Sequence, residues 1–265
     1  MTRTMPQHPD FNLTAYDSLL KTAQDNGYRF ESFKCLHEAS IPDEAHICLL
    51  RHDIDVDMEA ALRMAKLEHA RGVRATYFFM LRSPVYNLTA RANNDFARQI
   101  TALGHDVGLH YDQAYHPGDQ RSEAEWMAFE AAFLEGLLDV EISTISFHQP
   151  SPAVLEGRIE TGRFLNTYTD PASKGFHYIS DSNRQWAKES AEDAFAAKRY
   201  KRLQLLIHPL WWVYGECMTT EHVWDKAIAT NIGRMQRQIL DTERAYGPAR
   251  NILFQSSGTR KEDAA

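Results

Sequence analysis

Several features that would point to other classes of protein are scarce or missing in this sequence. It has only three cysteines, too few and too widely spaced for a disulfide framework, so we expect reduced thiols at Cys35, Cys48 and Cys217. No apolar run reaches the roughly 18 residues of a membrane helix, so no membrane span is expected. The first residues lack the apolar core of a signal peptide, which together with the reduced thiols predicts a cytoplasmic protein.

Basic residues are fewer than acidic residues in this sequence. The chain has 29 Lys and Arg against 36 Asp and Glu, and its net charge of -7 argues against a nucleic-acid partner. Hydrophobic residues make up 43% of the 265 residues and charged ones 25%, as in soluble globular enzymes. No linker, internal repeat or change in composition divides the chain. We therefore expect one domain over residues 1–265, with a core at about 45–255.

Strand and helix patterns alternate along the chain. The predicted strands lie near residues 47–54, 74–81, 106–110, 142–148, 164–168, 178–181 and 203–208. The predicted helices lie near 14–27, 57–71, 90–103, 188–199 and 220–246, and a further one begins at the capping box Ser122-Glu123-Ala124-Glu125. Its apolar residues recur every three or four positions, at Trp126, Phe129, Phe133 and Leu137. Such alternation predicts an α/β fold with a parallel sheet.

The strand at 47–54 ends in an unusual cluster of ionisable residues, Arg51-His52-Asp53-Ile54-Asp55. Asp53 and Asp55 are two residues apart, so they point to the same side of an extended chain. Two such carboxylates repel each other, and this pattern is typical of a pair in which one binds a metal and the other acts as a base. In the alternative interpretation, Asp55 only caps the next helix, for which Asp57 is the other possible cap, and Asp53 pairs with Arg51.

Other strands also end in polar residues. His110, His148 and His208 each follow an apolar segment, which predicts one metal site built from several strand ends of a barrel. His116 is six residues beyond His110 and is our second choice as a ligand. The remaining candidates for substrate contacts, or for orienting a ligand or a catalytic acid, are Asp112, Asp181, Arg184, Trp186 and Trp211.

Four of these segments together resemble the polysaccharide deacetylase superfamily, the NodB-homology group related to carbohydrate esterase family 4. Arg51-His52-Asp53-Ile54-Asp55 is similar to a branch whose first motif reads Arg-His-Asp-Val-Asp. Ala75-Thr76-Tyr77-Phe78-Phe79 resembles the second strand of the superfamily. Gly104-His105-Asp106-Val107-Gly108-Leu109-His110 resembles its Gly-His-Glu-Ile-Gly-x-His element, and Leu206-Ile207-His208 resembles its last motif. The resemblance covers residues 47–212.

The resemblance implies a distorted TIM-like (β/α) barrel of about seven strands and a divalent metal, usually Zn²⁺. It implies that Asp53 is the base, that Asp55 and His110 bind the metal, and that His208 protonates the leaving group. The usual His-x-x-x-His spacing is absent, because five residues separate His110 and His116. His148-Gln149-Pro150 resembles a strand end that supplies a histidine ligand in related sugar deacetylases, so His148 is the expected third ligand.

The resemblance therefore predicts a hydrolase that removes an acetyl or formyl group from an amide or ester on a sugar. As a hydrolase of C–N bonds other than peptide bonds, it would act on a lipid- or nucleotide-linked precursor in surface polysaccharide or lipopolysaccharide biosynthesis. Two alternatives stay open. One is a metal-dependent sugar isomerase on a similar barrel, and the other is a catalytically silent relative that binds glycan.

Overall fold

The computed structural model describes residues 11–38, 44–114, 120–215 and 219–246. Its strands are Tyr28–Glu31 (β1), His46–Ile54 (β2), Thr76–Phe79 (β3), Asp106–Asp112 (β4), Thr144–His148 (β5), Leu165–Asn166 (β6), His177–Ser180 (β7) and Arg202–Ile207 (β8). Its helices are Leu13–Asp25 (α1), Cys35–Glu38 (α2), Met58–Ala70 (α3), Arg91–Ala102 (α4), Glu123–Leu138 (α5), Pro152–Leu155 (α6), Ala191–Ala196 (α7), Pro209–Val213 (α8) and Thr220–Thr242 (α9). Within the described ranges, no helix is both long and apolar enough to cross a bilayer.

All strand pairings are parallel, and the main sheet has the order β6-β5-β4-β3-β2-β8-β7. The additional strand β1 pairs with the first half of β2, ahead of the part of β2 that pairs with β3. The sheet is strongly curled, because Arg51 of β2 reaches Thr167 and Tyr168, which follow β6 four strands away. The expected distorted α/β barrel is therefore confirmed, with β6 and β7 at the two ends of the sheet.

Apolar residues fill the space on both sides of this sheet. A small cluster of Phe33, Ile47, Leu49, Phe78 and Leu165 joins side chains of β2, β3 and β6. A larger cluster packs the helices against the outside of the sheet. Burying the inner cluster closes the barrel below the carboxyl ends of its strands, so polar side chains are left for that end.

Helix α5 begins at the expected capping box, in which Ser122 and Glu125 bond reciprocally. However, the buried side chains are Met127, Glu130, Ala131, Leu134 and Leu138. Phe129 and Phe133 are 51% and 42% exposed. The aromatic spacing therefore predicts the helix correctly but does not mark its buried face.

Candidate metal and acid–base site

The polar strand ends meet at one edge of the barrel. Asp53 belongs to β2, His110 to β4 and His148 to β5, while Asp55 and His208 directly follow β2 and β8. Helix α3 is capped by Asp57, whose carboxylate accepts hydrogen bonds from the backbone of Glu59 at 2.9 Å and of Ala60 at 3.4 Å. Because Asp57 performs the capping, Asp55 is left to face the histidines.

Asp55, His110 and His148 bring three ligand atoms together. His110 Nε2 lies 3.1 Å from Asp55 Oδ1, and His148 Nδ1 lies 3.2 Å from the same oxygen. The two imidazole nitrogens are 3.3 Å apart. Zinc bonds of about 2.1 Å at tetrahedral angles put neighbouring ligand atoms about 3.4 Å apart. This donor set therefore fits a divalent ion with further coordination positions open to water or substrate.

The charge of Asp55 agrees with this fit. Burial raises the pKa of its carboxyl, but hydrogen bonds from His110 and His148 outweigh burial and hold that pKa well below the ordinary range. Asp55 is consequently an ionised carboxylate at any pH at which the protein would work, as a metal ligand must be.

Asp53 has different neighbours from Asp55. Its carboxylate accepts hydrogen bonds from Arg51 Nη2 at 2.9 Å and from Ser146 Oγ at 3.2 Å, and it is only 3% exposed. Asp53 Oδ2 also lies 3.9 Å from His110 Nδ1. Burial raises the pKa of Asp53, but the charges of Arg51, His110 and His208 together outweigh burial and hold the pKa below its ordinary value. Asp53 is thus an ionised carboxylate beside the three candidate ligands.

Arg51 is the fully buried support of this carboxylate. Its Nη1 donates to Thr167 Oγ1 at 2.6 Å, and its Nη2 also bonds Ser146 Oγ and Tyr168 Oη at 3.0 and 2.9 Å. The sequence indicates Arg51 only as an alternative partner for Asp53, and its patterns do not predict roles for Ser146, Thr167 and Tyr168. A signal for Ser146 was available, since it precedes His148 by two positions and therefore faces the same side of β5.

His208 is held by the buried carboxylate of Asp181. The imidazole Nδ1 lies 2.6 Å from Asp181 Oδ1, and the backbone N–H of His208 donates to the same carboxylate at 3.0–3.1 Å. Trp212 Nε1 donates to Asp181 Oδ2 at 2.8 Å. His208 Nε2 points the other way and lies 4.0 Å from Asp55 Oδ2.

This arrangement keeps His208 charged. Burial lowers its pKa, but the Asp181 carboxylate more than offsets burial, and together with Asp55 and Asp53 it raises the pKa of His208 to about 9. At neutral pH the imidazolium has a proton to donate on the side that faces Asp55.

The remaining candidates divide into two groups. Trp211 lines the cavity, with its ring 5.9 Å from that of Trp224. Asp112, Arg184 and Trp186 are not among the cavity-lining residues in the described part of the chain. His116 lies outside the described residues.

Each of these three side chains has a local partner instead. Asp112 accepts a hydrogen bond from the backbone of Ala114 at 2.9 Å, and Arg184 Nη2 donates to the Gly215 carbonyl at 2.8 Å. Trp186 packs 5.6 Å from the ring of Phe11. These contacts connect loops and core, and they do not place the three side chains on the wall of the cavity.

The site opens into a cavity of about 680 Å³. Leu155, Trp211 and Trp224 line it together with the five polar residues Asp53, Asp55, His110, His148 and His208. Leu155 and Trp224 are 54% and 36% exposed, so they mark its solvent end. The volume suits a small organic ligand, and the mixture of aromatic and polar walls suits a sugar.

Comparison with known proteins gave matches at the level of structure alone. No protein-family model and no curated protein sequence matches the chain. IcaB from Ammonifex degensii matches with 17% identity and a TM-score of 0.40 over 52% of this chain and 68% of IcaB. A family 4 carbohydrate esterase from Bacillus anthracis matches with 12% identity and a TM-score of 0.39, over 88% of this chain and 93% of the esterase.

A family 4 pseudoenzyme from Bacillus anthracis also matches, with 15% identity, a TM-score of 0.41 and coverage of 75% of this chain and 63% of the pseudoenzyme. This chain therefore spans less than two thirds of the pseudoenzyme's length.

Proposed function

We propose that this protein is a metal-dependent hydrolase that removes an acyl group from an amide or ester on a sugar or glycan precursor. The observation that carries the proposal is the convergence of a His₂Asp ligand set, a separate buried carboxylate and a charged histidine on one cavity. Hydrolysis of an acyl–nitrogen or acyl–oxygen bond needs these three components: an electrophilic ion, a base and an acid.

Asp55, His110 and His148 hold the ion, and His₂Asp with an open position is a donor set suited to zinc. Bound there, a divalent ion supplies Lewis-acid chemistry: it polarises a carbonyl and acidifies a water molecule. Asp53 accepts the proton of the attacking water, and Arg51 keeps its carboxylate ionised and fixed. His208 Nε2 donates a proton to the departing nitrogen or oxygen, so that the products are a carboxylic acid and an amine or alcohol.

The proposed substrates are lipid- or nucleotide-linked amino sugars used to build surface polysaccharide or lipopolysaccharide in the cytoplasm. The aromatic residues at the cavity mouth support a sugar, since aromatic faces pack well against the apolar faces of sugar rings. The net charge of -7 supports a substrate other than nucleic acid.

The test uses the purified protein, stripped with a chelator and reloaded with zinc. Acetate and formate released from a panel of N-acetyl and N-formyl amino sugars are measured for the wild type, Asp53→Asn and His110→Ala. We expect release only with metal and a loss of about 10²–10⁴-fold for Asp53→Asn. Replacing the exposed His222 by Ala is the matched control.

Two results would reject the proposal. One is a protein that retains no divalent ion and whose activity is unchanged in Asp53→Asn and His110→Ala. The other is an isomerised sugar without any released acid, which would support an isomerase. Metal binding without turnover of any substrate in the panel would support a silent relative.

A further inference from the structure

The cavity extends well below the reacting groups. Gln204, Leu206 and His208 line it from alternate positions of β8 and its carboxyl end, so they face the same side of the sheet. The Cα atoms of Gln204 and His208 are four residues apart, which is about 13 Å along an extended strand. An acetyl group held at the metal ligands would leave this inner end unfilled.

The walls of the inner end are mainly apolar. Tyr178 is the direct neighbour of Gln204 in the β7–β8 register, and it lines the cavity from the edge strand, where it is 45% exposed. Phe176 packs against the inner apolar cluster that closes the barrel, and Leu206 is 3% exposed. No lining residue at this end, among those described, carries a charge of its own. The nearest cation, the Arg51 guanidinium bonded to Thr167, is already paired with Asp53, so an anionic ligand would have to compete with that carboxylate.

One polar group at the inner end has no partner. Gln204 is 4% exposed, and its amide Nε2 makes no hydrogen bond to any described residue. Two hydroxyls of the same cavity wall have partners elsewhere, since Ser173 Oγ donates to the Asp170 carbonyl at 2.9 Å and Thr167 Oγ1 accepts from Arg51 Nη1 at 2.6 Å. A buried donor without a partner is destabilising, and an acceptor atom of a ligand would relieve that.

From this we propose that the inner end holds the acyl group of the substrate, and that this acyl group is longer than acetyl and carries a neutral acceptor oxygen, as in a hydroxyacyl amide. The inference rests on the proposed function and specifies its substrate. A buried sugar ring would need a partner for each of several hydroxyls, whereas among the described residues Gln204 Nε2 is the one buried lining atom at this end that has no partner at all. The sugar then occupies the solvent end, where Trp211 and Trp224 lie and water can satisfy its hydroxyls.

The test measures binding of acyl hydroxamic acids to the zinc-loaded protein by calorimetry. A hydroxamate chelates the ion through its own oxygens, so its acyl chain explores the same space as that of a substrate without any sugar attached. The probes are acetohydroxamic, butyrohydroxamic and hydroxybutyrohydroxamic acid. We expect butyrohydroxamate to bind about tenfold more tightly than acetohydroxamate, because two methylenes are buried. The hydroxyl should add a further factor of about three to ten through Gln204.

Gln204→Met keeps the size and shape of the side chain and removes the donor. We expect it to bring the affinity ratio of hydroxybutyro- to butyrohydroxamate down to about one. Gln99→Met on the exposed face of α4 is the matched control, and it should keep the wild-type ratio. If thermal melting shows that Gln204→Met is not folded, Leu206→Phe is used as the test variant instead. Its larger ring narrows the passage and should reduce the preference for both longer chains.

The outcomes separate the inference from the function. The inference would be overturned by equal affinities for the three probes in the wild type, or by an unchanged ratio of hydroxybutyro- to butyrohydroxamate affinity in Gln204→Met. Either result would still agree with a short-chain deacylase. No binding of any hydroxamate to a protein that has been given zinc would remove the proposed function, and the inference with it.

Discussion

The Asp181 carboxylate contacts His208 at two points. Its Oδ1 lies 2.6 Å from the imidazole Nδ1, and its oxygens accept a hydrogen bond from the backbone N–H of His208 at 3.0–3.1 Å. A single buried carboxylate therefore sets both the orientation of the ring and its charge. The other ring nitrogen, Nε2, is turned towards Asp55 as a result. The acid of the proposed reaction is thus built from two strand ends, β7 and β8, that lie side by side in the sheet.

We predict that Asp181→Asn lowers the pKa of His208 from about 9 towards the ordinary histidine value. The folded pKa is raised because the Asp181 charge favours the imidazolium, so the charged form persists below about pH 9 and is lost above it. Removing the Asp181 charge lowers the pH at which the His208 imidazolium loses its proton. The check is an NMR titration of the His208 ring in metal-free protein. Asp193→Asn, on the exposed side of α7, should leave it unchanged.

Zinc should stabilise the folded protein through the three ligands. An ion that binds only the native state raises the midpoint of thermal unfolding, and the stabilisation grows with the logarithm of the ratio of free ion concentration to Kd. We expect zinc to raise the melting temperature of the wild type and to have no such effect on Asp55→Ala or His148→Ala. His222→Ala should respond like the wild type. An equal response in all four proteins would mean that zinc binds elsewhere.

Much of this site follows from local sequence rules. The spacing of Asp53 and Asp55 places both carboxylates on one side of β2, and the same rule sends His52 to the opposite side, where its Nε2 lies 2.7 Å from Glu68. Parallel strands then bring His110 and His208 to the same edge. These inferences need only the alternation of side chains and the direction of the strands.

Other features depend on how strongly the sheet curls. Arg51 meets Thr167 and Tyr168 across 116 and 117 residues of sequence, and no periodicity encodes that contact. Strand β6 is only two residues long and gives almost no pattern of its own. Trp186 sits two residues after a buried arginine and appeared to belong to the same site, yet the loop turns its ring towards Phe11. Long-range packing decides such positions.

Arg51→Met should be strongly destabilising, because it leaves Asp53 buried and ionised without its ion-pair partner. Breaking one side of a buried pair costs about 3–5 kcal/mol in free energy of unfolding. The double variant Arg51→Met/Asp53→Leu removes both charges and should recover most of that loss, while losing the proposed base. Urea denaturation measures the four proteins of this cycle. A double variant no more stable than Arg51→Met would contradict the ion-pair account.

Gly108→Ala should disturb the strand that carries His110. A Cβ at Gly108 would overlap the ring of Phe78 and lie 3.0 Å from the Thr144 carbonyl oxygen. Overpacking of this kind costs about 1–3 kcal/mol in free energy of unfolding. Because the main clash is with one side chain, Phe78→Leu should partly relieve it, so the two substitutions together should cost less than their sum. Strict additivity in urea denaturation would point instead to a backbone effect.

Glu68 should make the stability of the protein depend on pH. It is fully buried, accepts hydrogen bonds from Tyr16 Oη at 2.7 Å and Tyr77 Oη at 2.9 Å, and lies against His52. Burial raises its pKa, but the nearby His52 charge and the hydrogen bonds outweigh burial and hold the pKa below its ordinary value. A carboxyl with a depressed folded pKa adds stability above its unfolded pKa of about 4.3 and loses that contribution as pH falls through the folded value.

Glu68→Gln should therefore lower the free energy of unfolding by about 1–3 kcal/mol at neutral pH, and the difference from the wild type should shrink as the pH falls below about 4. Urea denaturation at a series of pH values measures this difference directly, so the other carboxyls, which are common to both proteins, cancel. Glu160→Gln on an exposed loop is the control and should follow the wild type throughout. A difference that stays constant with pH would mean that Glu68 acts through packing and hydrogen bonding rather than through its charge.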